Sequence, residues 1–241
     1  MFDVRIERKA FVAAGGVRRD ILRDIGFSIA PGEIIALLGA SGIGKSTMLR
    51  ILLGLDSAFD GHVRHGPVRI GTMFQDPRLL PWLTVADNLR LVVTDGMPSP
   101  DLGVLLDRVH LPDAGGLYPR QLSLGMARRA ALARALAVSP EMLVLDEPFA
   151  SLDPRMTAAL GAVVAQWSRD TGAAVLLATH DLAHALQLAT RVLVLAGTPA
   201  TLAADIAVAP GGAAAVLDNL KSRFGFFRPG GDGLPVAAAW D

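Results

Sequence analysis

The sequence predicts an α/β fold: a mostly parallel sheet flanked by helices, with an inserted helical subdomain and an N-terminal antiparallel β part. Three observations predict it. Short apolar runs at 34–38, 142–145, 173–178 and 191–196 have the length and near-continuous hydrophobicity of strands buried on both faces. Helix-start chemistry follows several of them, with Asp153-Pro154 offering Asp as N-cap and Pro in the first turn. Buried strands alternating with helices require a sheet covered on both sides.

Taken in order, residues 2–8 alternate apolar and polar side chains and read as a strand, and 21–29 as a second. Pro31-Gly32-Glu33 is turn chemistry before the buried run 34–38. A glycine-rich loop follows, then an apolar-rich helix from about Lys45. Residues 68–74 read as a further strand. The stretch 76–140 reads as mostly helical, broken at Gly96-Met97-Pro98-Ser99-Pro100. Asp181 caps a helix on which Leu182, Ala185, Leu186 and Ala189 fall at i, i+3, i+4 and i+7. From Ala209 onward the chain is rich in Ala, Gly and Pro with weak periodicity. It is expected either to lack order or to pack through Phe224, Phe226, Phe227 and Trp240.

The bulk composition narrows the function. The 241 residues suit one sizeable domain, and 23 basic side chains balance 23 acidic ones. A neutral chain has no global electrostatic reason to coat nucleic acid, and nucleic acid is not an expected partner. The chain is 51% hydrophobic with a mean hydropathy of +0.42, which implies a membrane span or an apolar docking surface. Its apolar stretches fall short of the roughly 18 residues a span requires, so the docking surface is expected. The first residues have no secretory h-region, and the lack of cysteine excludes disulfides and thiolate metal sites.

Gly39-Ala40-Ser41-Gly42-Ile43-Gly44-Lys45-Ser46 carries the sharpest chemistry, matching G-x-x-x-x-G-K-[ST]. Glycines let the backbone curl its N–H groups inward onto phosphate oxygens, and the following helix aims its positive end at the same point. Lys45 is expected to reach the β and γ phosphates, Ser46 to ligate Mg²⁺ and Thr47 to add a phosphate contact. Met142-Leu143-Val144-Leu145-Asp146-Glu147 is a strand ending in two carboxylates. Asp146 is placed to hold the Mg²⁺ shell and Glu147 to polarise the attacking water.

Between these segments lie Gln121-Leu122-Ser123-Leu124-Gly125-Met126 and Arg128-Arg129-Ala130-Ala131-Leu132-Ala133-Arg134-Ala135-Leu136. Together they resemble the signature segment of ATP-binding cassette (ABC) proteins, whose usual form is L-S-G-G-Q. Pro148-Phe149-Ala150-Ser151-Leu152-Asp153 resembles the D-loop of that family, and Thr179-His180-Asp181 its switch-histidine motif. Gln75 stands where the family has its Q-loop glutamine, and Phe11 where an aromatic stacks on adenine. The resemblance covers residues 2–208, with 209–241 as a tail of unassigned role, and implies a P-loop NTPase-type fold using ATP and Mg²⁺. It implies catalytic roles for Gln75, Glu147 and His180, a further metal contact at Gln75, and nucleotide contacts at Phe11, Ser123, Gly125 and Asp153. It also implies a head-to-tail dimer in which Ser123 and Gly125 of one copy close over the γ-phosphate held by the other.

Leu124 stands where the family has its first signature glycine, and Met126 where it has glutamine; Met at that place is similar to some importer cassettes. The run Leu79-Leu80-Pro81-Trp82-Leu83 resembles the nitrate, sulfonate and taurine importer subfamily. That likeness implies a permease docking near 76–90, a separate solute-binding protein, and a peripheral position on the cytoplasmic face of the membrane. An exporter cassette, or a soluble ABC ATPase acting in cofactor assembly or repair, is the alternative reading. Leu79, Leu80 and Trp82 are also candidates for subdomain core. His62, His65, His110 and His184 read as structural or surface residues, and Arg128, Arg129 and Arg134 as a solvated helix face.

Overall fold

The computed structural model describes residues 1–12, 16–94, 100–150 and 152–227. The chain runs β1 (Phe2–Val12), β2 (Arg18–Ile29), β3 (Ile34–Leu38), α1 (Lys45–Leu52), β4 (Asp60–Arg64), β5 (Ile70–Met73), α2 (Val85–Arg90) and α3 (Leu102–Arg108). It continues through α4 (Leu124–Ala137), β6 (Met142–Asp146), α5 (Pro154–Thr171), β7 (Ala174–Thr179), α6 (Leu182–Leu188), β8 (Arg191–Ala196), β9 (Thr201–Ala207) and α7 (Ala213–Arg223). Two compact units result: residues 1–66 with 178–241, and residues 67–177.

In the first unit, β2, β1 and β4 form the antiparallel sheet expected at the N-terminus. Along β1 the buried side chains are Phe2, Val4 and Ile6, then Lys9. The alternation changes parity because the register against β4 shifts between Ile6 and Arg8, which leaves one extra residue in β1. One extra residue in a strand reverses which side chain faces the core. Separately, β3 pairs parallel with β8, and β8 antiparallel with β9. Every residue of β3 is buried, as its unbroken apolar run requires. Arg191 ties this group together, bonding Asp205 through Nε at 2.6 Å, Glu33 at 3.1 Å and the Ser28 carbonyl at 3.0 Å.

In the second unit, β5 pairs parallel with β6, and β7 follows on the far side of β6. Helix α4 packs on β5 at glycine distance: a Cβ on Gly71 would lie 2.1 Å from the Ala135 carbonyl oxygen. The stretch 76–140 is less helical than its sequence suggests. Irregular segments precede α2 and separate α2, α3 and α4: Pro77 and Pro81 lie before α2 and Pro112 and Pro119 between α3 and α4, and each removes an amide and disfavours helix in the residue before it. The break expected at 96–100 lies mostly outside the described residues.

The tail from 209 contains α7, which its sequence did not announce. Leu220 is fully buried there, and Phe224, also buried, meets the rings of Phe226 and Phe227 at 5.7 and 6.2 Å. Packing through these aromatics was one of the two expected outcomes; Trp240 lies outside the described residues. Among the described residues no helix is long and apolar enough to cross a membrane.

Candidate functional site

The phosphate loop joins the C-terminal end of β3 to α1. Glycine is needed at both of its ends. A Cβ on Gly39 would lie 2.9 Å from the Leu195 carbonyl oxygen, and one on Gly44, at φ 118°, 2.7 Å from Leu22 Cδ2. Gly44 is the N-cap of α1, and the first intrahelical bond runs from Met48 N to Gly44 O at 2.9 Å. The amides of Ser46 and Thr47 therefore have no carbonyl of their own helix to meet, which is the arrangement that receives anions. Buried Lys45 donates to Gly39 O at 2.8 Å and Ala40 O at 3.2 Å, so its ammonium sits on the loop it belongs to. Ser41 and Gly42 are exposed at the loop's crest, and Ala40, Ile43 and Ser46 are half-buried.

Also in the first unit, His180 follows β7 directly and is exposed. Asp181 caps α6, accepting from His184 N at 3.1 Å and facing His184 Nδ1 at 2.5 Å. Burial raises the Asp181 pKa, but the His184 amide and imidazole outweigh it and hold the carboxyl below its usual range. Phe11 lies near the end of β1 with its ring exposed.

In the second unit, Asp146 closes β6 and Glu147 follows it, both buried. Glu147 has φ 47°, a left-handed backbone that costs a non-glycine residue about 1–2 kcal/mol. Such strain persists where the surroundings impose it, often at reactive groups. Met73 stands beside Leu145 in the parallel ladder, so Gln75 leaves the sheet at the same end as the two carboxylates. Ser123 caps α4, its Oγ accepting from Met126 N at 3.2 Å. A Cβ on Gly125 would stand 3.3 Å from Leu152 Cδ2, so the start of α4 packs beside the segment that ends in Asp153. Asp153 caps α5, accepting from Met156 N at 3.0 Å.

The arginines of α4 correct the expectation of a solvated face. Arg128 is buried, Arg129 donates to His110 O at 2.6 Å, and Arg134 spans Arg78 O at 2.7 Å and Pro77 O at 2.8 Å. Burial lowers the pKa of Arg129 and Arg134. Arg134 thus pins the backbone just beyond Gln75, a positioning role that a charged residue in a helical sequence does not reveal. Asn88 does the same for the next segment. It is fully buried, accepts from Leu80 N at 2.7 Å, and donates to the carbonyls of Leu80, Leu83 and Thr84. Held this way, Trp82 is 69% exposed while Leu79 and Leu80 are half-buried.

A glycine loop running into a helix N-terminus, in a chain with an Asp-Glu pair ending a buried parallel strand, defines the P-loop nucleotide-hydrolase class. The sequence pattern of the ABC transporter family matches residues 22–150. An aliphatic sulfonates import ATP-binding protein, SsuB 1 of Pseudomonas aeruginosa, is 44% identical over 214 residues, covering 83% of each chain. SsuB 2 of Pseudomonas syringae pv. tomato is 39% identical over 206 residues, covering 86% of this chain and 87% of its own. Among solved structures, the dimeric ATP-binding cassette MJ0796 in a post-hydrolysis state with ADP and Pi superposes with a TM-score of 0.78. It is 25% identical, over 87% of this chain and all of the other. The chain belongs to the ABC transporter family, and its fold is that of an ATP-binding cassette.

Proposed function

We propose that this chain is the ATP-hydrolysing subunit of a membrane importer for a small anionic organic solute, with aliphatic sulfonates the favoured class. The observation that carries the ATPase reading is the phosphate loop: two sterically required glycines, a buried lysine and a helix N-terminus of the matching family. The relatives named as sulfonate import subunits support the importer and its solute class.

In this reading the loop backbone of Gly39, Ala40, Ser41, Gly42, Ile43 and Gly44 and the Ser46 and Thr47 amides bind the phosphates, with Lys45 turning from loop carbonyls to phosphate oxygens. Phe11 stacks on the adenine. The Ser46 hydroxyl, the Asp146 carboxylate and the Gln75 amide oxygen are hard oxygen donors, the kind that hold Mg²⁺ together with phosphate oxygens. Bound there, Mg²⁺ would supply charge neutralisation for the phosphoryl group. Glu147 orients and polarises the attacking water, and His180 contacts the γ-phosphate.

A second copy completes the site. The Ser123 hydroxyl accepts from Met126 N, so its own proton is available to a phosphate oxygen, and the start of α4 adds a favourable dipole. The dimeric state of the solved cassettes supports this arrangement. Trp82, exposed on the segment that Asn88 braces, presents an apolar surface to an integral membrane permease. The chain then sits peripherally on the cytoplasmic face, fed through the permease by a separate solute-binding protein; nucleic acid is not a partner.

The test is purification with its permease in lipid, measuring ATP hydrolysis with and without a sulfonate-loaded binding protein. Stimulation by sulfonates, abolished by Trp82→Ala through loss of the permease, supports the reading. A chain that hydrolyses ATP but associates with no membrane partner overturns the importer assignment and leaves the ATPase intact.

A further inference from the structure

We infer that Lys9 is a positioning residue for the base of the nucleotide: its buried ammonium fixes the Phe11 ring from below and ties it to the segment that follows the phosphate-loop helix. The inference rests on the reading of Phe11 as the adenine-stacking ring and adds to it a residue with no place in the phosphate loop or the carboxylate pair.

Lysine is rarely buried unless paired, and Lys9 is only 2% exposed. It reaches the core side of the sheet because the register shift between Ile6 and Arg8 against β4 puts one extra residue into β1 and inverts the alternation after Ile6. Lys9 and Phe11 stand two residues apart, the spacing of neighbours on one face of a strand, and the shift between Lys9 and Ala10 places its extra residue in β2 and not in β1. Lys9 Nζ donates to Asp56 Oδ1 at 2.7 Å and to Ala58 O at 2.9 Å, and lies 4.7 Å from the centroid of the Phe11 ring. An ammonium has three N–H donors; two meet oxygens and the third is left for the ring face, within the range of a cation–π contact.

The other end of this contact is also fixed. Ala58 N donates to Asp56 Oδ1 at 3.1 Å, closing a turn around the carboxylate. Asp56 N and Leu55 N both donate to Arg50 O, in the last turn of α1. The helix whose first turn faces the phosphates is therefore continuous, through this turn, with the group that holds the ring. Phe11 is 46% exposed, so the ring is gripped on one face and open elsewhere. A cation on one face draws ring electron density toward itself, which favours stacking of an electron-rich purine on the opposite face. The ring is also spared the loss of freedom that a loose aromatic suffers on stacking.

The experiment measures the dissociation constants of ATP and of inorganic tripolyphosphate for the parent chain and for Phe11→Ala, Lys9→Met and the double variant, with thermal unfolding to establish folding. The expected result is that Lys9→Met weakens ATP roughly 2- to 5-fold, leaves tripolyphosphate unchanged, and adds nothing in the Phe11→Ala background. Equal weakening of ATP and tripolyphosphate overturns the inference, since a merely structural lysine disturbs the whole site. If Phe11→Ala weakens ATP while Lys9→Met does not, the inference fails and base stacking stands. If Phe11→Ala leaves ATP affinity unchanged, base stacking itself fails. Should Lys9→Met not fold, Asp56→Asn, which keeps the ammonium and loosens its anchor, is expected to weaken ATP alone, and an unchanged ATP affinity there overturns the inference.

Discussion

Ser123 does two jobs in the proposed cycle, and a pair of substitutions separates them. In the single chain its Oγ caps α4 by accepting from Met126 N at 3.2 Å, with the backbone at φ −67° and ψ 162°, the extended geometry an N-cap takes. In the proposed dimer the same hydroxyl would donate to a phosphate of the partner's nucleotide. Ser123→Ala removes both contributions. The lost cap costs about 1 kcal/mol, which lowers Tm by roughly 2–4 °C in a chain of this size. Ser123→Asp keeps the cap, because Asp caps as well as Ser and its charge suits a helix N-terminus. It also sets a carboxylate against the triphosphate. Two like charges about 4 Å apart at an effective dielectric near 20 repel by about 4 kcal/mol, enough to weaken the ATP-dependent dimer roughly a thousandfold. The assay pairs thermal unfolding without nucleotide with molecular mass in ATP, in a Glu147→Gln background that holds the dimer. The predicted pattern is a lower Tm for Ala only and loss of the dimer most completely for Asp. A Ser123→Asp chain that dimerises as well as its parent refutes the placement of this hydroxyl against the partner's phosphates.

Three further outcomes are expected. Gly39→Ala sets a Cβ 2.9 Å from a backbone oxygen that no rotamer change can move, so it should cost about 1–3 kcal/mol in urea unfolding and abolish ATP binding by titration calorimetry. The Lys9 ammonium holds the Asp56 carboxyl below its usual value, so that pair's stabilisation is full above the ordinary carboxylate pKa and fades as pH falls through the folded value. Unfolding free energy followed from pH 7 to 3 should therefore fall less steeply in Asp56→Asn than in the parent. In the proposed dimer Leu124, 54% exposed at the start of α4, would put a side chain near the partner's nucleotide, so Leu124→Gly should raise the ATP turnover rate; an unchanged rate rejects that role.

What the sequence made legible follows strong local physics. The run 34–38, the glycine loop, the start of α1 at Lys45, the caps Asp153 and Asp181, and the strand 191–196 all stand where the residues place them. Each combines unbroken hydrophobicity or cap chemistry with a nearby break. The elements that escaped notice lack such signals. Strand β4 has no buried residue and depends on Gly61, where a Cβ would fall 2.1 Å from the Arg5 carbonyl oxygen. Strand β9 buries only Ala204, and α7 starts at a glycine with no side-chain cap. Arg128, Arg134 and Lys9 carry no signal of their burial in the sequence, because charge argues for solvent. Only the tertiary structure shows Arg134 spending its charge on the carbonyls of Pro77 and Arg78, and Lys9 on Asp56.

Hydrolysis of Mg²⁺-ATP by the purified chain beside its Glu147→Gln variant, with molecular mass read with and without ATP, tests the central claim most directly. The proposed site requires that the parent hydrolyse ATP, and that the variant not do so and accumulate as an ATP-bound dimer. A Glu147→Gln chain that hydrolyses ATP at the parental rate contradicts it.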